Sequence, residues 1–146
     1  MIHYMQIFMF VIGAMFGAAT TPDSQAATVE PERADLVIYG ATSAGVTAAV
    51  QARRMGKTVI LLEPGRHVGG MTSSGLGATD IGNKRALGGI AREFYRRIGD
   101  HYARPESWTR QTRESYQEQR RSDAAEGEMW SFEPHVAEQV FRDMLK

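Results

Sequence analysis

Residues 35–73, DLVIYGATSAGVTAAVQARRMGKTVILLEPGRHVGGMTS, decide the fold of this chain. Residues 34–39 (ADLVIY) form a continuous apolar run behind one acid, the length and β-branched content of a buried parallel strand. A glycine turn follows at residues 40–45. Residues 44–55 then read as a helix, with Ala48 and Ala49 on the side that meets the sheet and Gly56 just past its end. Residues 58–63 (TVILLE) are a second apolar strand closed by an acid. Two parallel strands joined by one helix make a right-handed βαβ unit.

The turn Gly40-Ala41-Thr42-Ser43-Ala44-Gly45 carries chemistry. In the dinucleotide fingerprint the first glycine makes the tight turn and the second lets backbone approach a pyrophosphate. The third lets helix pack on strand. Gly40 and Gly45 fill the first and third places, and Thr42 stands in the second. Its Cβ crowds the approach, while its hydroxyl is able to donate to a phosphate oxygen. The helix start behind the turn offers free N–H groups and a dipole suited to an anion. Glu63 ends the second strand about 20 residues later, the spacing at which an acid binds ribose hydroxyls and disfavours a 2′-phosphate. Strand, turn, helix, strand and acid in that order predict nucleotide binding.

Working outward, the chain has 146 residues, about one domain's length, and no formal net charge. Zero net charge argues against a general nucleic-acid partner. The absence of cysteine excludes a disulfide framework, a cysteine-ligated cluster, a thiol nucleophile and a thiol redox pair. Residues 7–19 (IFMFVIGAMFGAA) are almost wholly apolar, and Ser24-Gln25-Ala26 is a small-residue site of the kind a signal peptidase accepts. Residues 1–26 therefore read as a secretory signal peptide, although without Lys or Arg in the n-region. A retained membrane anchor is the competing reading, and the run falls short of the ~20 apolar residues that span a bilayer. Residues 27–33 are a polar leader, and the mature protein is expected outside the cytoplasm, periplasmic or secreted.

Residues 64–89 are rich in glycine, serine and threonine and are expected to form a functional loop. Ile90, Phe94, Ile98 and Tyr102 make one helical stripe, and Arg92, Glu93, Arg96 and Arg97 fall mostly off it, as on a solvated face. Residues 103–129 mix both charge signs and read as a surface helix or a flexible excursion. Glu133-Pro134 opens a last helix, with Val136, Val140, Phe141, Met144 and Leu145 as its buried stripe. Only two strands are evident, so residues 34–146 are expected to be the N-terminal part of a longer domain.

Past Glu63 the chain reads Pro64-Gly65-Arg66-His67-Val68-Gly69-Gly70-Met71-Thr72-Ser73. An arginine, a glycine pair and a hydroxyl residue soon after the ribose acid resemble the second phosphate motif of glutathione-reductase-like FAD enzymes. Residues 74–80 (SGLGATD), 88–95 (GGIAREFY) and 132–137 (FEPHVA) resemble a narrower group. These are the FAD-dependent oxidoreductases grouped with the flavin-carrying part of heterodisulfide reductase. That group tolerates threonine in the second glycine place. The resemblance implies a Rossmann-like α/β unit with parallel strands, an incomplete domain, and FAD as cofactor. It implies that Gly40, Thr42, Ser43, Ala44 and Gly45 cradle the pyrophosphate and that Glu63 holds the adenosine ribose. By the same resemblance, Arg66 lies at the ribose or phosphate edge. Gly69, Gly70, Met71, Thr72 and Ser73 run past the pyrophosphate towards the flavin, with residues 74–80 near the isoalloxazine. With no cysteine, neither iron–sulfur clusters nor heterodisulfide chemistry carries over.

The function expected is an FAD-binding oxidoreductase that passes hydride or electrons between a small-molecule substrate and an electron acceptor, neither identified. An NAD- or S-adenosylmethionine-dependent enzyme is the alternative on a similar unit, and an inactive truncated nucleotide-binding fragment is another. Asp80, His101 and His135 are acid–base candidates by residue type. None pairs with a nucleophile in sequence, and His135 is commoner as a surface residue in the first turn of such a helix. The catalytic residues are thus not assigned, and no metal ligands are expected.

Overall fold

Val59–Leu62 (β3) is the middle strand of a three-stranded parallel sheet. The computed structural model describes residues 31–79, 82–119 and 127–146, together with the backbone of a short strand at His3–Met5 (β1). Leu36–Tyr39 (β2) pairs with β3 from Leu36↔Val59 to Tyr39↔Leu62. β1 pairs with the other edge of β3, from His3↔Ile60 to Met5↔Leu62. The sequence reading has two strands, and β1 is a third, inside the segment read as a signal peptide. An unpaired strand edge is a row of donors and acceptors that any extended segment is able to satisfy. The apolar run 7–19 and the small-residue site at 24–26 lie outside the described residues.

Ser43–Arg54 (α1) links β2 to β3 and lays Val46, Ala49 and Val50 onto the sheet. Ala48, expected on that face, is exposed, because the buried stripe runs through 45, 46, 49 and 50. Gly56 continues the chain just past α1 with a positive φ of 78°. The bases of β2 and β3 are tied by Asp35 and Thr58. The Asp35 N–H donates to Thr58 Oγ1, and the Thr58 N–H donates to Asp35 Oδ2, both at 2.8 Å.

β2 corrects one expectation. Its apolar run implied burial on both faces, yet Val37 is 55% and Tyr39 75% exposed. Of its residues, Ile38 packs against the core. β3 is the strand that is buried, with Leu61 fully enclosed.

Gly89–Tyr102 (α2) and Pro134–Met144 (α4) form a second layer against α1. The stripe read on α2 is the buried one, while on α4 Met144 and Leu145 are only half-buried and Ala137 joins the buried set. Ile90, Phe94, Ile98 and Tyr102 face inward from α2, and Val136, Ala137, Val140 and Phe141 from α4. Phe94 stacks on Phe141 with centroids 4.4 Å apart and meets Phe132 edge-on at 5.7 Å. The segment 103–129, of which 120–126 lie outside the described residues, is less of an excursion in residues 103–119 than its charge suggests. A 3₁₀ turn at Pro105–Ser107 and the helix Arg113–Gln119 (α3) bring Trp108 and Tyr116 onto this core. Among the described residues no helix is long and apolar enough to cross a membrane.

Candidate functional site

The turn after β2, the end of β3 and the second glycine loop meet at the carboxyl edge of the sheet, and Ala41 lies at their centre, 1% exposed. Its N–H donates to Glu63 Oε2 at 2.6 Å, and its carbonyl accepts the Gly69 N–H at 2.7 Å. The other Glu63 oxygen accepts the Gly65 N–H at 2.7 Å. A carboxylate accepts about four hydrogen bonds, so each Glu63 oxygen keeps capacity for a further donor such as a hydroxyl. The two glycine motifs, far apart in sequence, are thereby joined, and an isolated parallel bridge pairs Thr42 with Gly69.

Gly45 sits where helix meets strand, and a Cβ there would lie 2.1 Å from the Gly40 carbonyl oxygen. This is the third-glycine requirement, met by close backbone packing. Gly69 has φ 109°, and a Cβ there would lie 2.5 Å from the Phe141 ring. Thr42 is more than an imperfect second glycine. It is the N-cap of α1, extended at φ −65° and ψ 171°, and its Oγ1 accepts the Gly45 N–H at 3.2 Å. Capping uses a lone pair and leaves the hydroxyl proton free to donate. No acidic residue stands in the first turn of α1, so the partial positive charge there is uncompensated by the chain. The first-turn N–H groups of Ser43 and Ala44 are the orphan donors every helix start presents. A groove of about 550 Å³ opens beside them, lined also by Thr47, Thr72, Phe94 and Phe141.

The second motif forms a 3₁₀ turn at Gly70–Ser73. Met71 is 74% exposed beside it. Ser73 is buried, and its hydroxyl donates to the Val68 carbonyl at 2.6 Å, bracing the turn from within. Arg66 is exposed, and its guanidinium meets no acceptor among the described residues. Residues 76–79 run against 130–132 through an isolated bridge of Ala78 with Ser131, with the Phe132 N–H donating to the Gly77 carbonyl at 2.8 Å.

Neither histidine candidate joins this cluster. Asp80 lies outside the described residues. His101 is at the end of α2, where Arg104 Nη2 lies 3.2 Å from its Nδ1. Burial first, then the charges of Arg104 and His135, hold its imidazole below the ordinary value, so it is neutral at pH 7. His135 is exposed on α4. A second cleft, of about 330 Å³, lies between Tyr102, Trp108, Tyr116 and Phe132, away from both glycine motifs. The polar tips of Trp108 and Tyr102 are already engaged. Trp108 Nε1 donates to the Tyr102 carbonyl, and the Tyr102 hydroxyl donates to Glu133. Burial pushes the Tyr102 phenol up to about 12, so it remains protonated there. Among the described residues no group of three or more His, Asp or Glu side chains is arranged to hold a metal ion.

Sequence reasoning missed Ala41, because an alanine carries no side-chain signal and its role is purely backbone. It also missed Glu138 and Arg142, whose i,i+4 spacing on α4 reads as an ordinary surface pair.

A parallel βαβ unit with a glycine turn, an acid on that turn and a second glycine loop docked beside it defines a dinucleotide-binding α/β protein. The family model for FAD dependent oxidoreductases matches residues 35–146, and the chain belongs to that family. No curated protein and no solved structure matches it.

Proposed function

We propose that the Ala41-centred cluster is the seat of the ADP half of FAD in this oxidoreductase. The observation that carries the reading is the docking of the second glycine loop on the first through Gly69 N–H and Ala41 C=O, with Glu63 clasping the same residue. Gly40, Thr42, Ser43, Ala44 and Gly45 form the pyrophosphate cradle. Glu63 accepts ribose hydroxyls, Arg66 supplies a cation at the edge, and Gly69, Gly70, Met71, Thr72 and Ser73 lead towards the flavin. The residues suit the group: open helix-start donors, an N-cap hydroxyl with a free proton, and a carboxylate with unused acceptor capacity. Bound FAD supplies the redox centre for hydride or electron transfer. The chain's part is to bind it, orient it and neutralise its phosphates. Its redox partners are a small-molecule substrate and a separate electron acceptor. The apolar N-terminus supports export with cleavage after Ala26, and N-terminal sequencing of the exported protein should begin at Ala27.

Ala44→Asp tests the cradle cleanly. Ala44 is exposed in the first turn of α1, where a carboxylate favours the helix. The apoprotein should therefore melt no lower than the parent. The same charge repels a pyrophosphate, and FAD affinity in a fluorescence titration should fall about ten-fold or more. Unchanged affinity in a folded Ala44→Asp protein would remove the pyrophosphate from this helix.

A further inference from the structure

The loop that carries the second glycine motif is gripped from outside by α4. Glu138 and Arg142 lie one turn apart on that helix, with Arg142 Nη2 2.6 Å from Glu138 Oε1. Neither stops at the pair. Glu138 Oε1 accepts the Val68 N–H at 3.3 Å, and Oε2 lies 2.9 Å from His67 Nδ1. Arg142 Nη2 also donates to the Arg66 carbonyl at 2.7 Å. One turn of helix thus holds the backbone of residues 66 and 68, immediately before Gly69. Phe141, between them in sequence, closes against Gly69 from the same helix. Residues 64–68 have no strand or helix of their own, so their placement depends on such ties.

We propose that Glu138 and Arg142 are positioning residues for FAD: they fix residues 66–70 so that Gly69 meets Ala41 and the two phosphate motifs stand in register before the cofactor arrives. This rests on the assignment of those motifs to the pyrophosphate. An isolated i,i+4 surface pair contributes little to stability. A charged pair that satisfies loop backbone acts differently, since ordering a loop in advance removes that entropy cost from binding. Arg66 gains from the same arrangement, because its carbonyl is held while its guanidinium stays available.

The experiment uses the full-length protein stripped of flavin. FAD affinity is measured by fluorescence titration for Glu138→Ala, Arg142→Ala, Glu138→Gln and Ala44→Asp. Amide hydrogen exchange is followed in each apoprotein. Removing either partner should weaken FAD binding about ten-fold, the scale of a lost charged hydrogen bond. Exchange should speed up at Val68 and Gly69 while the amides of Val59–Leu62 keep their protection. Glu138→Gln retains an acceptor for Val68 and Arg142 and should bind FAD within about three-fold of the parent. Parent-like affinity in both alanine variants, with Ala44→Asp impaired, overturns the positioning role and leaves the cradle standing. Loss of protection across Val59–Leu62 together with the loop, or a Glu138→Gln protein as weak as Glu138→Ala, overturns it as well. An unimpaired Ala44→Asp protein removes the cradle, and the positioning role goes with it.

Discussion

At the scale of single residues, the site is governed by backbone more than by side chains. Ala41 gives its N–H to Glu63 and its carbonyl to Gly69, and no property of an alanine side chain announces this. Glu63 was legible, because an acid closing the second strand of such a unit has a defined place. Thr42 was legible as the residue in the second glycine place of the turn but not as the N-cap of α1, since capping depends on where the helix starts. Gly69 shows how tightly the motifs are set. A methyl group there meets both the Phe141 ring and Ser73 Oγ, on backbone at φ 109°. Gly69→Ala should therefore lose about 3 kcal/mol of stability in urea denaturation, from overpacking and left-handed strain together. A loss under about 1 kcal/mol would mean that Phe141 yields easily.

At the scale of elements, α2 and α4 were legible because their apolar stripes recur at helical spacing. What their stripes meet was not. Phe94 is 5% exposed and lies between Phe141 and Phe132, so it couples α2 to α4 and to the strand-like segment before α4. Phe94→Ala should lower stability by about 3–5 kcal/mol by chemical denaturation, the cost of an emptied aromatic site. Because Phe141 also faces Gly69, FAD affinity should drop in the same variant. β2 went the other way. Four apolar residues in a row predict burial, but burial belongs to whatever lies on the strand's two faces. Here Val37 and Tyr39 remain exposed.

At the scale of the whole molecule, two carboxylates hold the layers to one another. Glu93 joins α1 to α2 through Arg54, with Arg97 bracing it from its own helix, and Glu138 joins α4 to the glycine loop through His67 and the Val68 N–H, with Arg142 beside it on α4. Burial works against ionisation at both. Hydrogen bonds from Arg54 and Arg97 outweigh it at Glu93, and those from His67, Arg142 and Val68 outweigh it at Glu138, so both carboxyls titrate below their ordinary value of 4.5. A carboxyl whose folded value is depressed stabilises the fold above its unfolded value and loses that contribution as pH falls through the folded one. Stability should thus be level in these two groups from pH 7 to about 5 and decline below about 4.5. Thermal melts across pH 3 to 7 check this, and Glu93→Gln should flatten part of the decline.

The order of residues along the chain determined the βαβ unit, the cofactor class and the two amphipathic helices, because periodicity and glycine spacing are local properties. Gly40, Gly45, Glu63 and the pair Gly69-Gly70 were readable for that reason. Only the tertiary structure decided that Ala41 is the junction of both motifs, that α4 grips residues 66 and 68, that β2 is exposed, and that His101 stands away from the glycine loops. These depend on contacts between segments up to 76 positions apart. Such contacts are set by which surfaces pack together, and no local pattern encodes that.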